Sequence, residues 1–143
     1  MTEISDLITQ GMLERVPADR ATAGDWIDAA RRHLVSADRI KDVDPEGAYV
    51  LLYDAARKAI AAMMLTEGLR ARAVPGSHRA VAEYAVRSVN RKQDRAHLQR
   101  FDGMRRNRNR VEYGTATIGS QVVESDFEHA VAIVEIAAAR IGG

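Results

Sequence analysis

The chain has 143 residues, a mass of 15.7 kDa and a formal net charge of +1, from 21 basic and 20 acidic residues. Hydrophobic residues make up 46% and charged residues 29%, which is typical of a globular domain and excludes a disordered chain. The absence of cysteine excludes a disulfide framework, thiolate metal ligands and a cysteine nucleophile, and the 5% aromatic content disfavours a β-sandwich or barrel.

The first half of the chain predicts three helices. A short amphipathic helix over residues 4–12 is weakened by Gly11 and ended by Pro17. A second helix is capped by Thr22 or Asp25 and ends before the break at 42–45. A third, longer helix over about 46–70 carries an apolar stripe with several alanines. The positions predicted to face inward on the second and third helices are Trp26, Ile27, Ala30, Leu34, Ala37, Tyr49, Leu52, Ala56, Ala59, Ile60, Met63 and Met64.

The second half predicts three more helices. Ser77 caps a fourth helix after a turn at 73–76, and a fifth runs from about Lys92 to Tyr113, with Gly114 as its C-cap. A loop over 115–121 leads to a capping box at Ser125–Glu128, which opens the last helix. Its predicted inward positions are Phe127, Val131, Val134, Ala138 and Ile141. No strand longer than four residues is expected. The sequence therefore predicts one all-α domain over residues 1–143, an antiparallel bundle with a four-helix core and one or two extra helices.

The N-terminus is acidic and lacks the apolar segment of a secretory signal, and no apolar run is long enough for a membrane span. We therefore expect a cytoplasmic protein that does not associate with a membrane. The four histidines are not spaced as ligands on one helix face, and no glycine-rich phosphate loop occurs. Neither a metal nor a cofactor is predicted.

Charge is concentrated late in the chain. Residues 87–110 hold nine basic and two acidic residues, a local charge of +7, so the remainder carries −6. Such a segment is typical of proteins that bind a polyanion, most often nucleic acid. The alternative is a solvated helix face that pairs with acidic segments of the same chain or of a second copy.

The most informative stretch is residues 105–114. Arg108 and Glu112 are four residues apart and share a helix face, as do Arg106 and Arg110. Guanidinium groups stay charged and bind phosphate through two parallel hydrogen bonds, which suits both binding and stabilisation of a transition state.

The segment Asn107–Gly114, at the end of a helix in a small bundle, resembles the motif of the HEPN family (higher eukaryote and prokaryote nucleotide-binding domain). That family carries an arginine followed by a polar residue, with a histidine four to six residues after the arginine. Arg108 and Asn109 match the first two positions, and residues 48–59 and 76–78 are also similar. The resemblance implies a homodimeric helical bundle that binds RNA or nucleotide, in many members a metal-independent ribonuclease of a toxin–antitoxin or other defence system.

Carried over by position, the resemblance implies a catalytic role for Arg108, Asn109 and Tyr113, with RNA binding by Arg105, Arg106, Asn107 and Arg110. The sequence departs from the family at the last motif position, where Tyr113 replaces the histidine. A phenol ordinarily loses its proton near pH 10, far from the neutral range that suits a general base. We therefore expect little or no ribonuclease activity, and whether the protein is an enzyme stays open.

Two other classes of function stay open. The first is a non-enzymatic interaction module, a toxin or antitoxin component or a scaffold, whose partner is a small nucleotidyltransferase of the kind often paired with this family. The second is a nucleotide sensor in which the arginines hold the phosphates. Salt-dependent binding of RNA favours the RNA-binding function, whereas stabilisation by a mononucleotide favours the sensor.

Overall fold

The computed structural model describes residues 4–114 and 117–142, and its architecture confirms the all-α helical bundle. Its elements in chain order are α1 (Ile4–Thr9), β1 (Leu13–Arg15), α2 (Arg20–Ile40), α3 (Pro45–Thr66), β2 (Leu69–Ala71), α4 (Ser77–Arg87), α5 (Lys92–Gln99), α6 (Phe101–Tyr113) and α7 (Ser120–Gly142).

The helix α3 lies at the centre of the bundle. It packs most extensively against α2, then against α7, and also contacts α6 and β2. Four of its alanines, Ala55, Ala56, Ala59 and Ala62, are fully buried. Small side chains let neighbouring helices approach closely, so the predicted inward stripe of α3 is confirmed.

Residue pairs across the bundle give the helix directions. Arg31 of α2 pairs with Glu135 of α7, and Lys41 pairs with Glu124, so α2 and α7 run antiparallel. Tyr49 at the start of α3 meets Asp126 near the start of α7, so these two helices run in the same direction. Phe101 contacts Tyr53 and Asn107 contacts Tyr49, so α6 runs antiparallel to α3, and α5 runs antiparallel to α7 in the same way. The long segments α2, α3, α5–α6 and α7 therefore alternate in direction along the chain and form the four-helix core.

The third helix ends at Thr66 rather than near Arg70, because Gly68 adopts a left-handed conformation with φ of +73°. The chain then forms β2, which pairs antiparallel with β1 in the register Leu13↔Ala71, Glu14↔Arg70 and Arg15↔Leu69. The first helix is also shorter than predicted and ends at Thr9.

Three predicted helix starts are wrong. The helix α2 begins at Arg20, and the side chain of Asp19 caps it by accepting from the backbone N–H of Thr22. Ser77 is the first residue of α4, and the N-cap of this helix is Gly76. The helix α7 begins at Ser120, so the segment Ser125–Glu128 lies inside a helix and is not a capping box.

The buried face of α7 also differs from the prediction. Val134 and Ile141 are buried as predicted, but Val131 is exposed, and Phe127 and Ala138 are only partly buried. The buried face consists of Val123, Asp126, Ala130, Ile133, Val134, Ala137 and Ile141. Part of the predicted loop, residues 115 and 116, lies outside the described residues.

The predicted fifth helix is two helices, α5 and α6, divided at Arg100. Leu98, Phe101 and Met104 are buried as predicted, and Gly114 is the C-cap of α6. The division at Arg100 places the predicted site residues on α6, whose first turns pack against α3.

Candidate functional site

The arginines of α6 are only partly neutralised by carboxylates of the same helix. Asp102 accepts from Arg105 at 3.1 Å and from Arg106 at 2.6 Å, so one carboxylate serves two guanidiniums. Arg108 pairs with Glu112. Arg110 donates to the side-chain oxygen of Asn107 and has no carboxylate partner among the described residues. Four guanidiniums therefore face two carboxylates, which leaves α6 with an excess of positive charge.

Three arginines act on one phenol at the interface of α3 and α6. Tyr53 of α3 is almost fully buried, and its ring stacks on Phe101 with centroids 5.4 Å apart and planes within 9°. Burial raises the pKa of the Tyr53 hydroxyl, whereas Arg57, Arg105 and Arg108 act in the opposite direction. We call these three residues the arginine cluster; it joins one residue of α3 to two of α6.

Among the described residues, Arg108 is the member of this cluster that has a buried donor without an acceptor. Its side chain is only 26% exposed, and its Nε is buried with no hydrogen-bond partner among the described residues. A buried donor without an acceptor costs about 1–3 kcal/mol.

The two asparagines of the motif have different surroundings. Asn107 donates to the hydroxyl of Tyr49 at 3.1 Å and accepts from Arg110, so both ends of its amide are engaged within the chain. Asn109 is partly buried, and the structure shows no side-chain hydrogen bond for it among the described residues. Of the two, Asn109 is therefore the amide free to meet a ligand.

Tyr113 lies at the last position of α6 and is 81% exposed. It follows Arg108 by five residues, which on an α-helix is a rotation of about 140° and a rise of about 7.5 Å. The two side chains therefore leave different faces of α6. Within one chain, Arg108 and Tyr113 do not form a single cleft.

A buried polar network behind α6 was missed at the sequence level. Asp126 of α7 is 1% exposed and accepts from Tyr49 at 2.6 Å and from Arg100 at 2.8 and 3.0 Å. Burial acts to raise the pKa of Asp126, but the hydrogen bonds from Arg100 and Tyr49 outweigh it and hold that pKa below its ordinary value. Because Asn107 also donates to Tyr49, the network extends from α7 through α3 to α6.

The tertiary structure also pairs two histidines that are distant in the sequence. His97 of α5 and His129 of α7 place their Nδ1 atoms 3.0 Å apart. Burial and the neighbouring His97 lower the pKa of His129. Within residues 4–114 and 117–142, no group of three or more histidine, aspartate and glutamate side chains has a geometry that would hold a metal ion.

In the described part of the chain, every helix is too short or too polar to cross a bilayer. When the sequence is compared with models of known protein families and with curated proteins, neither comparison gives a match.

Proposed function

We propose that this chain is a HEPN-like, homodimeric protein that binds the phosphates of RNA or of a nucleotide through α6. The observation that carries the proposal is the excess positive charge of α6, where four guanidiniums face two carboxylates among the described residues. Phosphate oxygens are the acceptors that guanidinium groups bind best, through two parallel hydrogen bonds.

Charge on the same helix supports this proposal over a purely solvated helix face. Asp102 is shared between Arg105 and Arg106, and Arg110 has an amide rather than a carboxylate as its partner. The side chain of Arg106 is 63% exposed, so its charge is available to a polyanion. Such a surface attracts nucleic acid and releases counterions on binding.

The exposure of Tyr113 supports a homodimer. Because Arg108 and Tyr113 leave different faces of α6, a joint site requires Tyr113 from a second copy beside Arg108. Such an interface would also cover a large phenol that is 81% exposed in the single chain. Light scattering is expected to give about twice 15.7 kDa, and a mass near 15.7 kDa would contradict the dimer.

We expect RNA binding without efficient cleavage, since a tyrosine stands where the family has its histidine. The test incubates purified protein with a single-stranded RNA in the presence of EDTA and follows the products on a denaturing gel. Robust metal-independent cleavage that disappears in a Tyr113→Phe variant would overturn this part of the proposal.

Binding is measured by fluorescence anisotropy with a labelled single-stranded RNA over a series of salt concentrations. Arg108→Ala is expected to weaken binding by about tenfold or more, because a hydrogen bond to a charged group contributes about 1.5–3 kcal/mol. The slope of log affinity against log salt should fall by about one for each RNA phosphate that the variant no longer neutralises.

Arg39→Ala is the matched control. Arg39 is an exposed arginine near the end of α2, so this change removes the same charge outside α6. It should leave affinity and salt slope nearly unchanged. Equal losses in Arg39→Ala and Arg108→Ala would show that only net charge matters and would contradict a site on α6.

A further inference from the structure

A half-enclosed cavity of about 290 Å³ lies beside Tyr53. The cavity is bounded by α2, α3, β2, α4 and the start of α6. Three of its walls are the rings of Trp26, Tyr53 and Phe101, and most of the others are aliphatic side chains. Trp26, predicted as a core residue, is only partly buried because one side of it faces this cavity.

The charges at the cavity are all basic. Arg57 and Arg70 line it, and no carboxylate is among the described residues that line it. Arg70 already forms an ion pair, since its Nε and Nη2 donate to the carboxylate of Glu14. The Nε of Arg57 lies 3.6 Å from Asp54, beyond hydrogen-bonding distance, and its side chain is 49% exposed. Arg57 is therefore the cation with donors free for a ligand.

Size and shape restrict the occupant. A cavity of about 150 Å³ holds one benzene molecule, so about 290 Å³ suits a ligand with one or two fused rings. Aromatic walls favour a flat ring that can stack or make edge contacts. The guanidinium at the mouth, with its free donors, favours an acidic group on that ring.

We infer that this cavity binds a small planar aromatic anion, with its rings between Trp26, Tyr53 and Phe101 and its acidic group on Arg57. The inference does not depend on RNA binding by α6. Arg57 also belongs to the arginine cluster, but the inference requires only the cavity walls and the charge of this residue. Ligand binding in the cavity and RNA binding by α6 are therefore measured in separate experiments.

Trp26 is the single tryptophan of the chain, and it gives a direct readout. In a ¹⁵N-labelled sample of the full chain, the indole N–H of Trp26 is one isolated resonance. The test titrates this resonance with 2-naphthoate and with its neutral analogue 2-naphthamide. We expect saturable shifts with 2-naphthoate and a dissociation constant on the order of 1 mM or tighter, as is usual for a ligand of this size.

Selectivity for the anion is the decisive result. The wild-type protein should bind 2-naphthamide about tenfold more weakly than 2-naphthoate. The Arg57→Gln substitution should lower the affinity for 2-naphthoate by about tenfold, so that the protein binds the two probes with similar affinity. Arg39→Gln, about 20 Å further along α2 from Trp26, should change neither affinity. Because Arg57 is exposed and glutamine favours helices, the Arg57→Gln protein should fold normally.

Ala61→Leu tests the location, because Ala61 lines the cavity and the larger side chain fills part of it. The Ala61→Leu substitution should lower the affinity for both probes and leave the far-UV circular dichroism spectrum unchanged. Equal affinity of wild-type protein for the two probes would overturn the inference, as would the absence of a saturable shift. Unchanged binding in a folded Ala61→Leu protein would show that the probes bind elsewhere and would overturn it as well.

Discussion

Replacing Asp126 by asparagine should destabilise the bundle, because Asp126 is the one buried carboxylate among the described residues. Asp126 is buried and accepts three hydrogen bonds, one from Tyr49 and two from Arg100. Asparagine keeps the shape but loses the charge and turns one acceptor into a donor, which then faces another donor. Breaking a buried ion pair costs about 3–5 kcal/mol. Because the side chain of Arg100 is 38% exposed and can turn towards water, we expect the lower end, about 3 kcal/mol.

Urea unfolding followed by circular dichroism measures this loss directly, and in a chain of this size it corresponds to a fall in Tm of about 6–12 °C. The dependence of the free energy of unfolding on pH below neutrality gives a second measurement. Because the pKa of Asp126 is depressed in the fold, its contribution is present above the unfolded value near pH 4 and is lost as the pH falls through the folded value. The Asp126→Asn protein should lack this component of acid destabilisation.

Asp102→Asn is the matched control, because Asp102 also accepts from arginine but is 33% exposed. Its cost should stay below about 1 kcal/mol. If the Asp126→Asn and Asp102→Asn proteins unfold with the same free energy, the buried network does not stabilise the bundle and the reasoning from burial is refuted.

Three further predictions concern stability. Gly68→Ala should cost about 1–3 kcal/mol in urea unfolding, because Gly68 has a positive φ and a Cβ there would lie 2.8 Å from the carbonyl oxygen of Val16; an unchanged midpoint would contradict this strain. Ala59→Leu should cost about 1–3 kcal/mol by overpacking the centre of α3, and an increase in Tm would show unfilled space there. The pKa of His129 is lowered in the fold, so the unfolded chain binds its proton first and stability falls as the pH drops below about 6.5. His129→Gln should reduce this fall, measured as the free energy of unfolding at pH 7.5 and 5.5, and an identical pH dependence in both proteins would argue against the role of the pair with His97.

The core of the bundle was predictable from local patterns. The apolar stripe of α3 runs over several turns, and its boundary at Asp44–Pro45 combines a side-chain cap with a proline in the first turn. The cap and the proline are neighbours in the sequence, so both can be recognised without knowledge of the tertiary structure. The segment Ser125–Glu128 shows where local patterns fail, since it has the letters of a capping box but lies inside α7. Asp126 faces inward there because Arg100 and Tyr49, both distant in the sequence, supply its partners.

The residues of the candidate site on α6 could be predicted from the sequence, but those on α3 could not. The arginines of α6 stand out by their density, and the motif selects Arg108, Asn109 and Tyr113. The role of Tyr53 and Arg57 depends on how α3 crosses α6, which no pattern within either helix encodes. One signal was present, since Tyr53 and Arg57 are four residues apart and share a face of α3.

The short β-ribbon near the N-terminus has a consequence for how this protein should be handled. Leu69 and Ala71 of β2 form part of the wall of the cavity beside Trp26, Tyr53 and Phe101. Pairing with β1 holds β2 in its register. A slip of one residue would turn both side chains away from the cavity. A chain that begins at residue 16 would lack β1 and release β2, although residues 4–15 do not line the cavity. Ligand screens should therefore use protein that keeps its first fifteen residues, with any purification tag placed at the opposite end.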